Sequence, residues 1–114
     1  MNPVDAVRTC LTKYADFSGR AGRPEFWWFF LFEVVVTVVT YPLPDIIGIL
    51  AGLALLVPAL AVGARRLHDI GKSGWLQLIM LVPLVGFIIL IVLWAKEGER
   101  TPNQHGAPVE PQLA

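Results

Sequence analysis

The amino-acid sequence predicts an all-α integral membrane protein: three transmembrane helices preceded by a short N-terminal amphipathic helix. Three observations carry that expectation. Of the 114 residues, 55% are apolar and only 16% are charged, a balance that ordinary soluble domains do not show. The apolar residues gather into three long runs, and the chain between them is too short and too polar to build a separate soluble core, so the bilayer is the expected solvent. Lys and Arg are also spread unevenly about the three runs, as the positive-inside rule requires. The formal net charge is zero, which leaves no global electrostatic case for nucleic acid.

The first segment, residues 1–23, opens with helix-start chemistry. Asn2 is a capping residue, Pro3 suits a first helical turn, and Asp5 sits near the positive end of the helix dipole. Val4, Val7, Leu11 and Tyr14 recur at three- and four-residue spacing and share one face. Such a helix lies either on the membrane surface or against the bundle. These residues hold no apolar core of a cleavable signal peptide, so the first membrane helix is expected to serve as its own insertion signal. Residues 17–23 break the periodicity and form a turn.

The membrane domain is expected over residues 24–95. Its first span, 24–41, begins with Pro24, which suits the first position of a helix. Eighteen residues at the helical rise give about 27 Å, just enough to cross the hydrocarbon core. Phe26, Trp27 and Trp28 stand where an aromatic belt belongs. Pro42 and Pro44 then force a tight connection, because two prolines this close cannot continue a helix. The second span, 46–63, carries two small-residue pairs, Gly48 with Gly52 and Ala59 with Gly63, each four residues apart. Faces of this kind let helix backbones approach closely in lipid, within one chain or between copies. The loop 64–74 contains a glycine stop and Ser73, which can cap the next helix. The third span, 75–95, has Pro83 and Gly86 near its centre, which predict a bend. Beyond it, residues 96–114 with Pro102, Pro108 and Pro111 read as an extended tail of little order.

Orientation follows from the basic residues. Arg8, Lys13, Arg20 and Arg23 before the first span join Arg65, Arg66 and Lys72 after the second, against Lys96 and Arg100 after the third. Three crossings then put the N-terminus and the second loop in the cytoplasm and the C-terminal tail outside.

Three segments together resemble a known family: Tyr14-Ala15-Asp16-Phe17-Ser18-Gly19-Arg20-Ala21-Gly22-Arg23-Pro24-Glu25-Phe26-Trp27-Trp28-Phe29, then Arg65-Arg66-Leu67-His68-Asp69-Ile70-Gly71-Lys72-Ser73-Gly74-Trp75, then Val82-Pro83-Leu84-Val85-Gly86. They are similar to the small bacterial inner-membrane proteins of domain of unknown function 805, the YhaH-like proteins. The resemblance implies a multi-pass protein of the bacterial inner membrane with no assigned activity, and it brings no catalytic residues. Two departures stand out against the family pattern. The tail from Gly98 to Gly106 keeps only part of the family's Gly-Thr-x-Gly-x-Asn stretch, and Glu33 stands where an uncharged residue, often asparagine, is expected.

Two constellations are candidates for a site. Arg20, Arg23, Arg65, Arg66 and Lys72 gather on one membrane face, with Asp16, Glu25, His68 and Asp69 among them. Arginine forks suit phosphate and carboxylate, so the cluster could bind an anionic lipid headgroup or a soluble phosphate. The alternative use is a topology signal with internal ion pairs. The second constellation is Glu33 with Thr37 and Thr40, four and seven residues on and so on the same helix face. A carboxyl near mid-membrane is either a hydrogen-bonded core acid or a functional group. His68 beside Asp69 is expected to be a structural helix end. His105 is expected across the membrane from it, which leaves too few ligands for a metal. Cys10, the single cysteine, can form neither an intrachain disulfide nor a multi-cysteine site. No nucleophile has a base at motif spacing, so an enzyme is not expected, nor is a cofactor. The expected role is a non-enzymatic helper or interaction subunit, with other membrane proteins or a second copy as partners. The alternative is a small oligomeric transporter or ion-conducting protein using Glu33.

Overall fold

The computed structural model describes residues 2–108; Met1 and residues 109–114, with Pro111, lie outside the described residues. The element order is α1 (Pro3–Thr12), α2 (Arg23–Thr40), α3 (Asp45–Asp69), a 3₁₀ helix (Gly74–Leu81) and α4 (Val85–Ala95), with no β-strand among the described residues. The all-helical expectation is met.

α1 starts as its sequence predicts. The Asn2 side chain accepts a hydrogen bond from the Asp5 amide at 2.7 Å, satisfying one of the free N–H groups of the first turn. Its packed face is the small one, because Ala6 and Cys10 are fully buried. The apolar face of Val4, Val7 and Leu11 instead lines an open groove of about 840 Å³ against Trp28, Leu31, Phe32 and Val35 of α2.

α2 and α3 form a long antiparallel hairpin across the Pro42–Pro44 turn. α3 does not stop at Gly63 but continues through Arg65, Arg66 and His68 to Asp69, giving 25 residues. Its end is a Schellman turn: the Lys72 amide donates to Leu67 O at 2.8 Å and the Gly71 amide to His68 O at 3.0 Å. Gly71 takes the left-handed backbone, with φ of +78°, that this turn requires. The loop is therefore shorter than expected, and the arginines stand on helix. Among the described residues α3 is the one helix long and apolar enough to cross a membrane. α2 has 18 residues and includes Arg23, Glu25 and Glu33.

The third apolar run is not a single bent span. The 3₁₀ helix has 8 residues and α4 has 11, so each arm rises about 16 Å at its own pitch. The chain reverses between them over Val82, Pro83 and Leu84, with Leu84 at a φ of +65°, and α4 returns alongside the 3₁₀ helix. Gly86 makes the reversal possible, since a Cβ there would overlap the carbonyl oxygen of Ile79. Arms of this length reach about half the depth of a 30 Å hydrocarbon layer.

The core lies at one end of the α2–α3 hairpin. Phe26, Phe29, Val62, Leu67, Leu90 and Trp94 pack together, with the rings of Phe26 and Trp94 4.8 Å apart. The Trp94 indole N–H donates to Gly63 O at 3.2 Å. α1, the 3₁₀ helix and α4 surround that end, with α1 lying along α2 as far as Val35 and the Tyr14 hydroxyl reaching Ala54 O of α3. At the other end Val38, Val39, Ile46, Ile49, Leu50 and Leu53 are exposed.

Candidate functional site

The basic cluster folds into an enclosed charge network. Asp69 is fully buried and is its hub: Oδ1 accepts from Arg20 Nε at 2.8 Å and Oδ2 from Arg66 Nη1 at 3.0 Å. Arg20 extends the network to the main chain beyond α4, with Nη1 donating to Thr101 O at 3.1 Å and to Gly106 O at 3.2 Å. Its Nη2 donates to Glu99 O. Arg66 donates from Nε to Trp94 O at 2.9 Å and from Nη2 to Lys96 O. Arg65 pairs with the buried Glu25 carboxylate and donates from Nε to Asp16 O at 3.1 Å. Guanidinium groups are enclosed at low cost only when their donors find acceptors; helix ends and loop carbonyls supply most of them here, while Arg65 Nη2 is buried without a hydrogen-bond partner among the described residues.

The segment after α4 is thus ordered, contrary to the extended tail expected from its prolines. The Glu99 amide donates to Asp69 O at 2.7 Å, and Asn103 Nδ2 donates to His68 O at 3.1 Å. Gly98 is buried, and a Cβ there would overlap the Asp69 carboxylate. His105 stacks on His68 with ring centroids 3.8 Å apart and planes 2° from parallel. The expectation that His105 lies across the membrane from His68 is overturned, and with it the placing of the tail opposite the Arg65–Lys72 side. The cause is the hairpin reversal at Leu84, which returns the chain to the end it left. Parallel rings aim their nitrogens in parallel, so the pair does not converge on a metal. Among the described residues no group of three His, Cys, Asp or Glu side chains is placed to hold one.

Local electrostatics follow the packing. Burial first, and then the Glu25 carboxylate, push the Cys10 thiol up to about 12; its Sγ lies 3.7 Å from Glu25 Oε2. Hydrogen bonds from the hydroxyl and amide of Ser18 hold Asp16 below its ordinary value. Burial, then His68 and Arg20, lower His105.

Of the residues expected to recognise anions, Arg20, Arg65 and Arg66 are turned inward and buried. Arg23 opens α2, and Lys72 is exposed. Forks already committed to protein acceptors are not free to grip a headgroup.

Glu33, Thr37 and Thr40 line one cleft, as their shared face predicts. It holds about 680 Å³ between α2 and α3, and Tyr41, Asp45, Gly48 and Gly52 complete its walls. The threonine hydroxyls are spent on their own helix, Thr37 donating to Glu33 O and Thr40 to Val36 O, each at 2.9 Å. The Glu33 carboxyl has no hydrogen-bond or ion-pair partner among the described residues. The small residues divide between two roles. Gly63 admits Trp94 and Gln77, and Ala59 packs on the core. A Cβ at Gly48 would meet only Thr40 Oγ1, at 3.7 Å, and one at Gly52 would meet nothing within 4 Å.

The family described as Protein of unknown function (DUF805) matches residues 14–107. The chain belongs to the DUF805 family. It is 37% identical over 103 residues to Inner membrane protein YhaI of Escherichia coli (strain K12), covering 84% of this chain and 87% of that one. It is 33% identical over 121 residues to Inner membrane protein YhaH of the same strain, covering 96% and 98%. It is 35% identical over 86 residues to Uncharacterized protein YiiR, covering 70% and 57%. No solved structure matches. Two of these DUF805-like relatives are named as inner membrane proteins.

Sequence reasoning missed the acceptors that close the charge network: the carbonyls of Trp94, Lys96, Glu99, Thr101 and Gly106. The available signal was glycine, since Gly98 and Gly106 are expensive to order in a tail with no structural task.

Proposed function

We propose that this protein is a non-enzymatic interaction subunit of the bacterial inner membrane. In this reading α2 and α3 cross the bilayer, and the hairpin of the 3₁₀ helix and α4 enters from the cytoplasmic side and returns to it. Residues 96–108 then lie on the cytoplasmic side with the N-terminus. All nine Lys and Arg residues of the sequence fall on that side, a stronger bias than three crossings allow. Exposed Lys72 and the amphipathic α1 meet the lipid headgroups there.

The observation that carries the proposal is Glu33: a carboxyl without a partner, facing a cleft that no part of the described chain fills. Intramembrane acids are costly and are kept where something answers them. A second reading, ion conduction by an oligomer, is favoured by the polar rim of the same cleft, where Thr37, Thr40, Tyr41 and Asp45 stand near Glu33.

Photo-cross-linking in native membranes separates the two from simple lipid exposure. A photoreactive residue at Gly52, inside the cleft, should give a discrete protein adduct, whereas one at Val38, on the exposed face, should give none. Matching patterns at both positions, or adducts to lipid alone, would sink the subunit reading. A discrete adduct that is the protein itself, with cation flux in proteoliposomes, would move conduction ahead.

A further inference from the structure

We infer that the Glu33 cleft seats a transmembrane helix of another membrane protein, one that carries a lysine or arginine at the depth of Glu33. This rests on the interaction-subunit reading and adds the partner's chemistry to it.

Three features of the molecule lead there. The middle of the cleft admits backbone: Gly48, Ala51 and Gly52 lie between Asp45, Ile49 and Leu55 on its α3 wall, and the empty space in front of Gly52 lets a helix axis approach closely. The acid is unanswered from within, because the hydroxyls of Thr37 and Thr40, its neighbours on α2, donate to main-chain carbonyls instead. The third feature excludes a second copy as the source of charge. The sequence contains no Lys or Arg between Arg23 and Arg65. Another molecule of this protein in the same orientation would bring a second Glu33 to the cleft, placing acid against acid. A foreign helix with a basic residue supplies what the chain lacks. Its cation and the carboxylate remove each other's exposure to hydrocarbon, and neither residue is tolerated well alone. The unlike pair also gives selectivity, since a purely apolar helix would leave Glu33 as unanswered as before.

The experiment uses the full-length protein in phosphatidylcholine vesicles with two synthetic peptides. Each is an apolar helix of about 20 residues; one has a central lysine and the other a central leucine. Energy transfer from donor-labelled protein to acceptor-labelled peptide reads association. The lysine peptide should associate at least about tenfold more tightly than the leucine peptide. Glu33→Gln should erase that difference, Glu33→Asp should keep it, and Glu97→Gln, at an exposed carboxylate outside the cleft, should leave it unchanged. Circular dichroism of each variant confirms that the helices are intact.

Equal association of the two peptides overturns the inference, as does a lysine preference that survives Glu33→Gln. Exclusion of both peptides together with energy transfer between copies of the protein also overturns it, because a second copy then fills the cleft. The Gly52 cross-link is independent of these results. A discrete foreign adduct there without a lysine preference here sinks the partner's chemistry and leaves the subunit reading standing.

Discussion

At the Arg20 end of the molecule three arginines are enclosed among carboxylates and carbonyls, while at the other end the Glu33 carboxyl faces an open cleft with Asp45 at its rim. Both ends hold ionisable side chains that are at least partly buried. The first pairs each of its three arginines from within, using Asp69, Glu25 and the main chain after α4. The Glu33 cleft is lined by α2, α3 and the turn between them, and no third element of the described residues lines it. The difference comes from the third apolar run, which turns back halfway and so encloses one end at the expense of the other. Buried charge at the first end is therefore tied into the fold, whereas the half-buried acid at the second is not.

The most drastic break in this contrast would be a tail that lies on the other side of the membrane. With Cys10 replaced by serine, Lys13→Cys and Gln104→Cys should both resist a membrane-impermeant maleimide in intact spheroplasts and both react once the membrane is opened. Labelling of Gln104→Cys in intact cells would restore three full crossings. New reporter cysteines are needed because native Cys10 is buried and its thiol is raised to about 12. It should stay unlabelled at neutral pH until the protein unfolds, whichever side it occupies.

A smaller but still large effect is expected at the hub. Asp69→Asn removes the charge that answers both Arg20 and Arg66, and breaking a buried pair on one side costs about 3 to 5 kcal/mol. Thermal unfolding in detergent should show it as a marked fall in melting temperature. A change near that of an exposed substitution would mean that the arginines are solvated, and the enclosed end would lose its distinction. The smallest effect belongs to the cleft. Glu33→Gln should alter stability by under about 1 kcal/mol, because an open acid has little folded-state partnership to lose. A cost comparable to that of Asp69→Asn would show that Glu33 belongs to the fold rather than to a partner.

The two ends also differ in how far the sequence reveals them. Local signals were readable: Asn2 caps α1, Pro24 sits in the first turn of α2, Gly71 stops α3, and the Ser73 hydroxyl accepts from the Trp75 amide at 3.2 Å. The face shared by Glu33, Thr37 and Thr40 was readable too, since helical spacing alone sets it. The reversal at Leu84 was not. Hydropathy counts apolar residues and cannot distinguish a run that crosses from one that enters and returns. Pro83 and Gly86 signal a bend, but its size is set by the approach of α4 to Ile79, which is a tertiary event. Reading the run as a crossing then placed the tail and His105 on the wrong side of Arg65 and His68. The arginines were correctly grouped on one face, but their partners include carbonyls far along the chain, and a carbonyl leaves no mark in a sequence.

The tail's grip on Arg20 and Arg66 has a consequence for biogenesis. The acceptors at Lys96, Glu99, Thr101 and Gly106 leave the ribosome after every helix has been made, so a partly synthesised chain can insert its hairpins while two guanidinium groups still lack their oxygens. Only arrival of this last stretch closes the cluster. A chain that ends short of this stretch leaves donors of Arg20 and Arg66 without those oxygens, and the cluster stays open.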